Sequence, residues 1–278
     1  ASADDVCADG IDAYVVTLAA TGVTTNFDYS KPRVYYSEEA GAYRCYQGGL
    51  PNASFTGWIR GDGGWLWFDR SSEPFRSSWV SDGGAWYYVG ADGLMCTGWK
   101  RIGSSWYYFD ASGAMATGWR QVDGSWSFFA SSGQMQTGWV LDGASWYWLD
   151  SSGQMQVGWQ RVGGSWYCLD SGGAMATGWL RLGGSWYWLG SSGAMATGWQ
   201  KVAGEWYYLD ADGAMVTGWE KVSGLWYHFS GSGQMSTGWL DLDGSWYYLG
   251  TDGAMVMGTE WIDGVEYQFG PTGALLGA

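Results

Sequence analysis

The sequence predicts an all-β protein, a β-solenoid of stacked short hairpins, and three observations carry that prediction. The first is a fixed period. A Gly-Trp pair recurs with a step of twenty residues, its Trp at Trp99, Trp119, Trp139, Trp159, Trp179, Trp199, Trp219 and Trp239, and Met keeps the same beat from Met95 to Met255. Constant spacing marks a repeat array rather than one packed core. The second is that each period holds two short alternating segments around a turn dipeptide, as in "GWRQVDGSWSFF" and "GWLDLDGSWYYL". The third is composition: 48 Gly against 4 Pro, with aromatics at 19% including 24 Trp.

In chain order, residues 1–40 fall outside the period and read as an N-terminal cap or the remnant of an upstream domain. "ASADD" at the start has the small-residue look of an A-x-A cleavage site at Ala1–Ala3. Ala13–Ala20 is the longest apolar run and reads as a strand, far short of the roughly 20 residues of a membrane helix. Residues 41–278 form the repeat region. Gly41–Trp58 reads as a degraded first unit with an insertion, and the pattern then slips into place through Trp58 with Trp65 and Trp79 with Trp86. At the far end it decays, with Glu266 where a Trp is expected.

A regular unit follows from turn chemistry. Asp-Gly at Asp123-Gly124 and Asp243-Gly244, or Ala203-Gly204 and Ser223-Gly224, suits the type I′ turn that closes a two-residue hairpin. A second turn, "DASGAM" or "DADGAM", leads to the next Gly-Trp, with Gly113 or Gly213 supplying backbone freedom. The Asp residues there are turn formers and lack the nonapeptide calcium pattern of parallel β-rolls. One hairpin is marginal in water, so each must stack on the next.

Strand alternation divides the second strand into two faces. In Trp206–Leu209, Tyr207 and Leu209 share one face, which reads as the packed seam with Met as filler. Trp206 and Tyr208 share the other. The residue two after the hairpin Trp drifts through Tyr88, Tyr108, Phe128, Trp148, Cys168, Trp188, Tyr208, His228 and Tyr248, and mostly stays aromatic. Two Trp and one further ring per junction make a box with electron-rich walls. Such a box holds quaternary ammonium groups by cation–π attraction or stacks on sugar rings; a purely structural ladder is the third possibility.

Net charge is −14, with no basic patch, so nucleic acid is excluded as a partner. One His and no metal-ligand spacing leave nothing to build a catalytic site from, and no cofactor or metal is expected. Cys7 and Cys45 are plausible disulfide partners in an exported protein. Cys96 and Cys168, more than three units apart, are expected to stay as free thiols.

The phrase "TGW…GxWYYLDxxGAMxTGW" strongly resembles the cell-wall-binding repeats of choline-binding proteins, the surface proteins and lysins of Gram-positive bacteria and their phages. The resemblance covers about Trp58 to Phe269. It implies a left-handed stack of hairpins, secretion to the bacterial cell wall, and choline of teichoic acids as ligand. It further implies cages made by the Gly-Trp and hairpin Trp of one unit and the aromatic two residues after the hairpin Trp of the next. Carried over, Trp79 and Trp86 pair with Tyr108, Trp99 and Trp106 with Phe128, and Trp119 and Trp126 with Trp148. Trp159 and Trp166 pair with Trp188, Trp179 and Trp186 with Tyr208, and Trp219 and Trp226 with Tyr248. Trp58 and Trp65 with Tyr88 is a slipped version. Trp139 and Trp146 are expected to face Cys168 and lack a wall. Trp199 and Trp206 are expected to face His228, which predicts weakening as pH falls through the range where His titrates. Trp239 and Trp246 meet Gln268, and Ser127 replaces a seam Tyr in a looser unit.

The expected function is therefore a non-catalytic wall-binding module for choline-decorated teichoic acid or another wall polysaccharide, with no membrane insertion. The alternatives are a glucan-binding repeat domain and a spacer without ligand. A catalytic or adhesive domain upstream of the chain is compatible with all three.

Overall fold

A computed structural model describes residues 32–37, 42–47, 50–51, 54–61 and 63–277. Among them the only regular elements are strands, joined by turns. Ala1–Ala3, Cys7 and the strand expected at Ala13–Ala20 lie outside the described residues. Two compact units are present, one running to Thr137 together with Ser151–Gln154, the other formed by Gly138–Asp150 and the chain from Met155 onward.

In the first unit, Arg33–Ser37 pairs antiparallel with Ala42–Gln47, which pairs in turn with Leu50–Pro51. This pairing joins residues from both sides of position 40, so residues from the expected head and the expected first repeat share one small sheet. Val34 and Cys45 of that sheet are fully buried against Ile59, Leu66 and Phe68 of the first hairpin, Thr56–Gly61 with Gly64–Asp69. Three further hairpins follow: Ser78–Asp82 with Ala85–Val89, Gly98–Ile102 with Ser105–Phe109, and Gly118–Val122 with Ser125–Phe129. The second unit continues the same hairpin every twenty residues from Gly138–Asp142 with Ser145–Leu149 to Gly258–Ile262 with Val265–Phe269, where Leu275–Gly277 adds a third strand. This is the β-solenoid of stacked hairpins that the period predicts.

The tight turns behave as their residues demand. Asp123 and Gly124 have φ of 52° and 84°, and Ala203 and Gly204 have 51° and 96°, the pair of positive values a type I′ turn needs. Gly103 and Gly143 are positive while the residues after them are not, the pattern of a type II′ turn with Gly first.

The twenty-residue period has a hydrogen-bonding cause, because within each unit Met residues stitch neighbouring hairpins together. The Met N–H donates to the carbonyl of the hairpin Trp one unit earlier: Met115 to Trp86 at 2.7 Å, Met135 to Trp106 at 2.8 Å, Met195 to Trp166 at 2.8 Å and Met215 to Trp186 at 2.7 Å. The same Met bridges the last residue of its own hairpin, as Met115 does Phe109 and Met195 does Leu189. One residue more or fewer in the loop breaks one of the two attachments. The Gly two residues before each Met lies against the preceding Met. A Cβ on Gly113 falls 2.3 Å from the Met95 sulfur, and one on Gly213 falls 2.5 Å from the Met195 sulfur, both at φ above 80°. Position and conformation both require Gly there. Fully buried Leu and Phe residues three after each hairpin Trp fill the seam: Phe109 and Phe129 in the first unit, Leu149, Leu189, Leu209 and Leu249 in the second.

Candidate ligand site: aromatic clefts between hairpins

Register decides which rings meet. In each hairpin the Gly-Trp residue pairs across the strands with the residue two after the hairpin Trp, as Trp119 with Phe128 and Trp179 with Trp188. Paired residues share a face, so that ring belongs to its own hairpin. Centroid separations are 5.1 Å for Trp79–Tyr88, 5.3 Å for Trp99–Tyr108, 5.0 Å for Trp119–Phe128 and 5.1 Å for Trp139–Trp148. Trp179–Trp188, Trp199–Tyr208, Trp219–His228 and Trp239–Tyr248 repeat the arrangement within 5.1–5.2 Å.

The face turned toward the preceding hairpin carries the residue one after the hairpin Trp. Trp79 meets Tyr107 at 5.0 Å, Trp139 meets Tyr167 at 4.9 Å and Trp159 meets Tyr187 at 5.2 Å. Trp179, Trp199, Trp219 and Trp239 meet Tyr207, Tyr227, Tyr247 and Tyr267 at 4.8–5.1 Å, with ring planes inclined by 62–71°. The slipped first copy does the same, with Trp58 against Tyr87 at 5.2 Å rather than Tyr88.

In several of the expected cages the two Trp come together, and the ring of the next hairpin that meets them differs from the expected one by a single residue. Trp99–Trp106, Trp139–Trp146, Trp179–Trp186 and Trp199–Trp206 stand 6.2–6.5 Å apart at close to right angles. The cross-hairpin partner is Tyr107, not Tyr108, for Trp79, and the offset repeats with Tyr187 for Trp188, Tyr207 for Tyr208 and Tyr247 for Tyr248. Strand alternation is as the sequence implies; what it leaves open is which of the two faces looks backward along the stack. The irregular positions move accordingly. Cys168 stands opposite Trp159 on its own hairpin, and the Trp139 cleft has Tyr167 as its wall. His228 stands beside Trp219, and the Trp199 cleft has Tyr227. Gln268 pairs with Thr259, and the Trp239 cleft has Tyr267. The cleft that lacks a ring is at Trp99, where the wall position is the buried Ser127.

One cleft measures ≈ 300 Å³ and is lined by Trp159, Trp166, Tyr187, Met195, Ala211 and Asp212. Its rings are open to solvent: Trp166 is 42% exposed, and the other hairpin Trp residues from Trp86 to Trp246 lie between 38% and 49%. Met195 both stitches the stack and lines the cleft, so the Met beat has a second use beyond filling the seam. Two indoles already sit near cations, with the Lys201 Nζ 5.7 Å from the Trp206 ring centre and the Lys221 Nζ 5.9 Å from that of Trp226.

The titratable groups nearby are few. Burial lowers the His228 pKa from its ordinary value, and the ring Nδ1 lies 2.9 Å from Ser236 Oγ. The Cys168 thiol is free and pushed up by burial and by Asp170; Cys96 is also free, as expected. Cys45 is a free, buried thiol pushed up to about 11, and its expected partner Cys7 lies outside the described residues. Among the described residues no group of three His, Cys, Asp or Glu side chains is placed to hold a metal, and no helix is long and apolar enough to cross a membrane.

Stacked hairpins with aromatic clefts at their junctions define a class of repeat-built binding modules. The choline-binding repeat model matches residues 76–117, 96–127, 116–157, 156–197, 196–237 and 216–259, and the chain belongs to that family. Among solved structures it is similar to CbpJ from Streptococcus pneumoniae TIGR4, at 31% identity and TM-score 0.68, over 88% of this chain and 100% of that one. Choline binding protein F from Streptococcus pneumoniae, solved in the presence of a peptidoglycan analogue, gives 30% identity and TM-score 0.65 over 88% and 98%. The modular autolysin LytC from Streptococcus pneumoniae gives 28% identity and TM-score 0.54, over 81% of this chain and 53% of the autolysin. No protein of curated function matches the chain significantly in sequence.

Proposed function

We propose that this choline-binding-repeat chain is a wall-binding module whose clefts each hold one choline group of a teichoic acid at the surface of a Gram-positive cell. The observation that carries the reading is the open cleft of Trp159, Trp166, Tyr187 and Met195, with its two Trp and one Tyr repeated in register along the second unit. A trimethylammonium group has no N–H to donate, so it is recognised by flat electron-rich faces and by shape. Perpendicular indoles about 6 Å apart present such faces on two sides, and a Tyr ring beside them closes a third. The lysines beside Trp206 and Trp226 support the same point, since these indoles already attract a positive group.

Each cation–π contact contributes about 0.5–2 kcal/mol, so one cleft binds weakly, at about millimolar affinity. A polymer carrying many choline groups turns later contacts into intramolecular ones and raises avidity by about 10²–10⁴. Copying the unit is therefore the physical route to firm but displaceable attachment. The surrounding function is binding; chemistry on the wall, if the parent protein performs it, belongs to another domain. Retention of the chain on an immobilised quaternary amine, with release by millimolar free choline and not by dextran, is the expected result. Flow-through, or release by dextran alone, overturns the choline reading, the latter in favour of glucan stacking.

A further inference from the structure

The cleft at Trp159 and Trp166 contains an acid that aromatic recognition does not require. Asp212 comes from the loop after the hairpin Gly198–Val202 with Glu205–Leu209, and it lines the same cleft as Trp159, Trp166 and Tyr187.

The other acids of these loops have a local use. Asp110 Oδ1 accepts from the N–H groups of Ser112 and Ala114 at 2.8 and 3.0 Å, and Asp170 Oδ1 accepts from Gly172 and Ala174 at 2.8 and 2.9 Å. Where Gly takes that first loop position, the acid two residues later serves instead: Asp92 accepts from Leu94 at 3.1 Å and Asp252 from Ala254 at 3.0 Å. The loop at 210–215 has acids at both positions. Asp210 Oδ1 accepts from Asp212 and Ala214, each at 2.9 Å, so the turn is complete without the second carboxylate. Among the described residues the Asp212 carboxylate accepts no hydrogen bond and makes no ion pair. Sister loops hold Ser at this place, as at Ser112, Ser132, Ser192 and Ser232, and hold Asp only where Gly90 or Gly250 leaves the turn to Asp92 or Asp252. The fold therefore has no need of an acid here, and the cleft is what the acid faces.

We propose that Asp212 makes this cleft charge-selective, so that it binds a cationic ligand more tightly than the sister clefts whose matching loop position is Ser, and discriminates against a neutral ligand of the same shape. The proposal rests on the quaternary-ammonium reading of the clefts. An uncommitted carboxylate beside aromatic walls adds Coulomb attraction to the ring quadrupoles, and its exposure to water keeps the effect modest and salt-dependent. By the twenty-residue register, the cleft at Trp179, Trp186 and Tyr207 has Ser232 at the matching place and is an internal control.

The test is a titration of the full chain, followed by the assigned indole N–H signals of Trp166 and Trp186. The probes are choline chloride and 3,3-dimethylbutan-1-ol, whose branched head has the same shape and no charge. At low ionic strength choline binds at Trp166 about fivefold more tightly than at Trp186, and Asp212→Asn or Asp212→Ser removes that difference. The neutral alcohol binds both clefts alike, before and after substitution. Ser is what the sister loops carry, so that variant keeps the turn. Equal choline affinity at the two Trp in the unsubstituted chain, or no change on substitution, overturns the role of Asp212 and leaves the wall-binding reading intact. No choline response at either Trp overturns the wall-binding reading itself.

Discussion

The clefts at Trp99 and at Trp199 are the same structure one hundred residues apart, each inside its own unit, and they differ in one wall. Trp99 and Trp106 stand 6.5 Å apart at 87°, and Trp199 and Trp206 stand 6.2 Å apart at 90°. Both leading Trp lie 5.6 Å from the buried Phe that follows, Phe129 and Phe229. Tyr108–Phe129 and Tyr208–Phe229 match to 0.1 Å, at 6.4 and 6.3 Å. The second cleft has Tyr227 at 4.8 Å from Trp199, whereas the first has Ser127 in that place. The other ring separations agree to within 0.3 Å without the third ring. The scaffold is therefore set by the Met stitches and the buried Phe, and the third ring is surplus to it.

The most damaging way to break this comparison is to attack the shared scaffold. Gly113→Ala and Gly213→Ala place a methyl 2.3 and 2.5 Å from a Met sulfur and force Ala to positive φ. The left-handed backbone costs about 1–2 kcal/mol and the overpacking about 1–3 kcal/mol. Both variants are expected to lose stability by similar amounts in urea unfolding, at the two clefts alike. Gly98→Ala and Gly198→Ala are the controls: their φ values are 70° and 71° and no atom lies within 4 Å of the added Cβ, so only the backbone cost of about 1–2 kcal/mol remains. Equal losses at all four positions would mean that the Met contact contributes nothing.

The fold was legible because its period is written in Gly and Trp, and because Asp-Gly and Ala-Gly dictate the hairpin turns at Asp123 and Ala203. The register of the Gly-Trp and hairpin Trp rings was legible for the same reason. Which ring of the next hairpin meets them was not. Alternation separates Tyr107 from Tyr108 but cannot say which faces backward, and that depends on the stacking direction fixed by Met115 bonding to Trp86. The drift at Tyr108, Phe128, Trp148 and Cys168 looked like ligand tolerance; these residues instead back the Trp of their own hairpin. A better signal was the recurrent Tyr itself. Leu and Phe alone already fill the seam, so a phenol beside them in every unit except those with Leu66 and Ser127 needed a second explanation. The acid at Asp212 was hidden among turn formers, and only the bonds made by Asp210 reveal it as surplus.

Exchanging the differing wall sharpens the comparison with a medium effect. Tyr227→Ser is expected to weaken choline at the Trp206 signal by about tenfold, the size of one cation–π wall. Ser127→Tyr is expected to strengthen binding at Trp106 by a similar factor. The pair of variants exchanges the order of the two clefts while unfolding changes little, because the matching ring distances show a scaffold indifferent to this position. A large loss of stability in Tyr227→Ser with unchanged choline affinity would reverse the assignment and make Tyr227 a structural ring.

The smallest effect belongs to His228, and its location separates the two possible assignments of the second-face residue. The ring stands 5.2 Å from Trp219, and burial lowers its pKa below 6.5. It is neutral at pH 7.5. As pH falls, the unfolded chain takes the proton first, so whatever stability the neutral ring contributes is present above the unfolded value and is lost as pH drops below it toward the folded pKa. A charged imidazole also repels a cation in the adjoining cleft. Between pH 7.5 and 5.5, choline affinity at the Trp226 signal is expected to fall roughly threefold relative to Trp206, and His228→Tyr is expected to abolish the difference. A fall at Trp206 instead would restore the cage in which His228 reaches back to Trp199. A parallel fall at both would mean that the pH response does not come from His228.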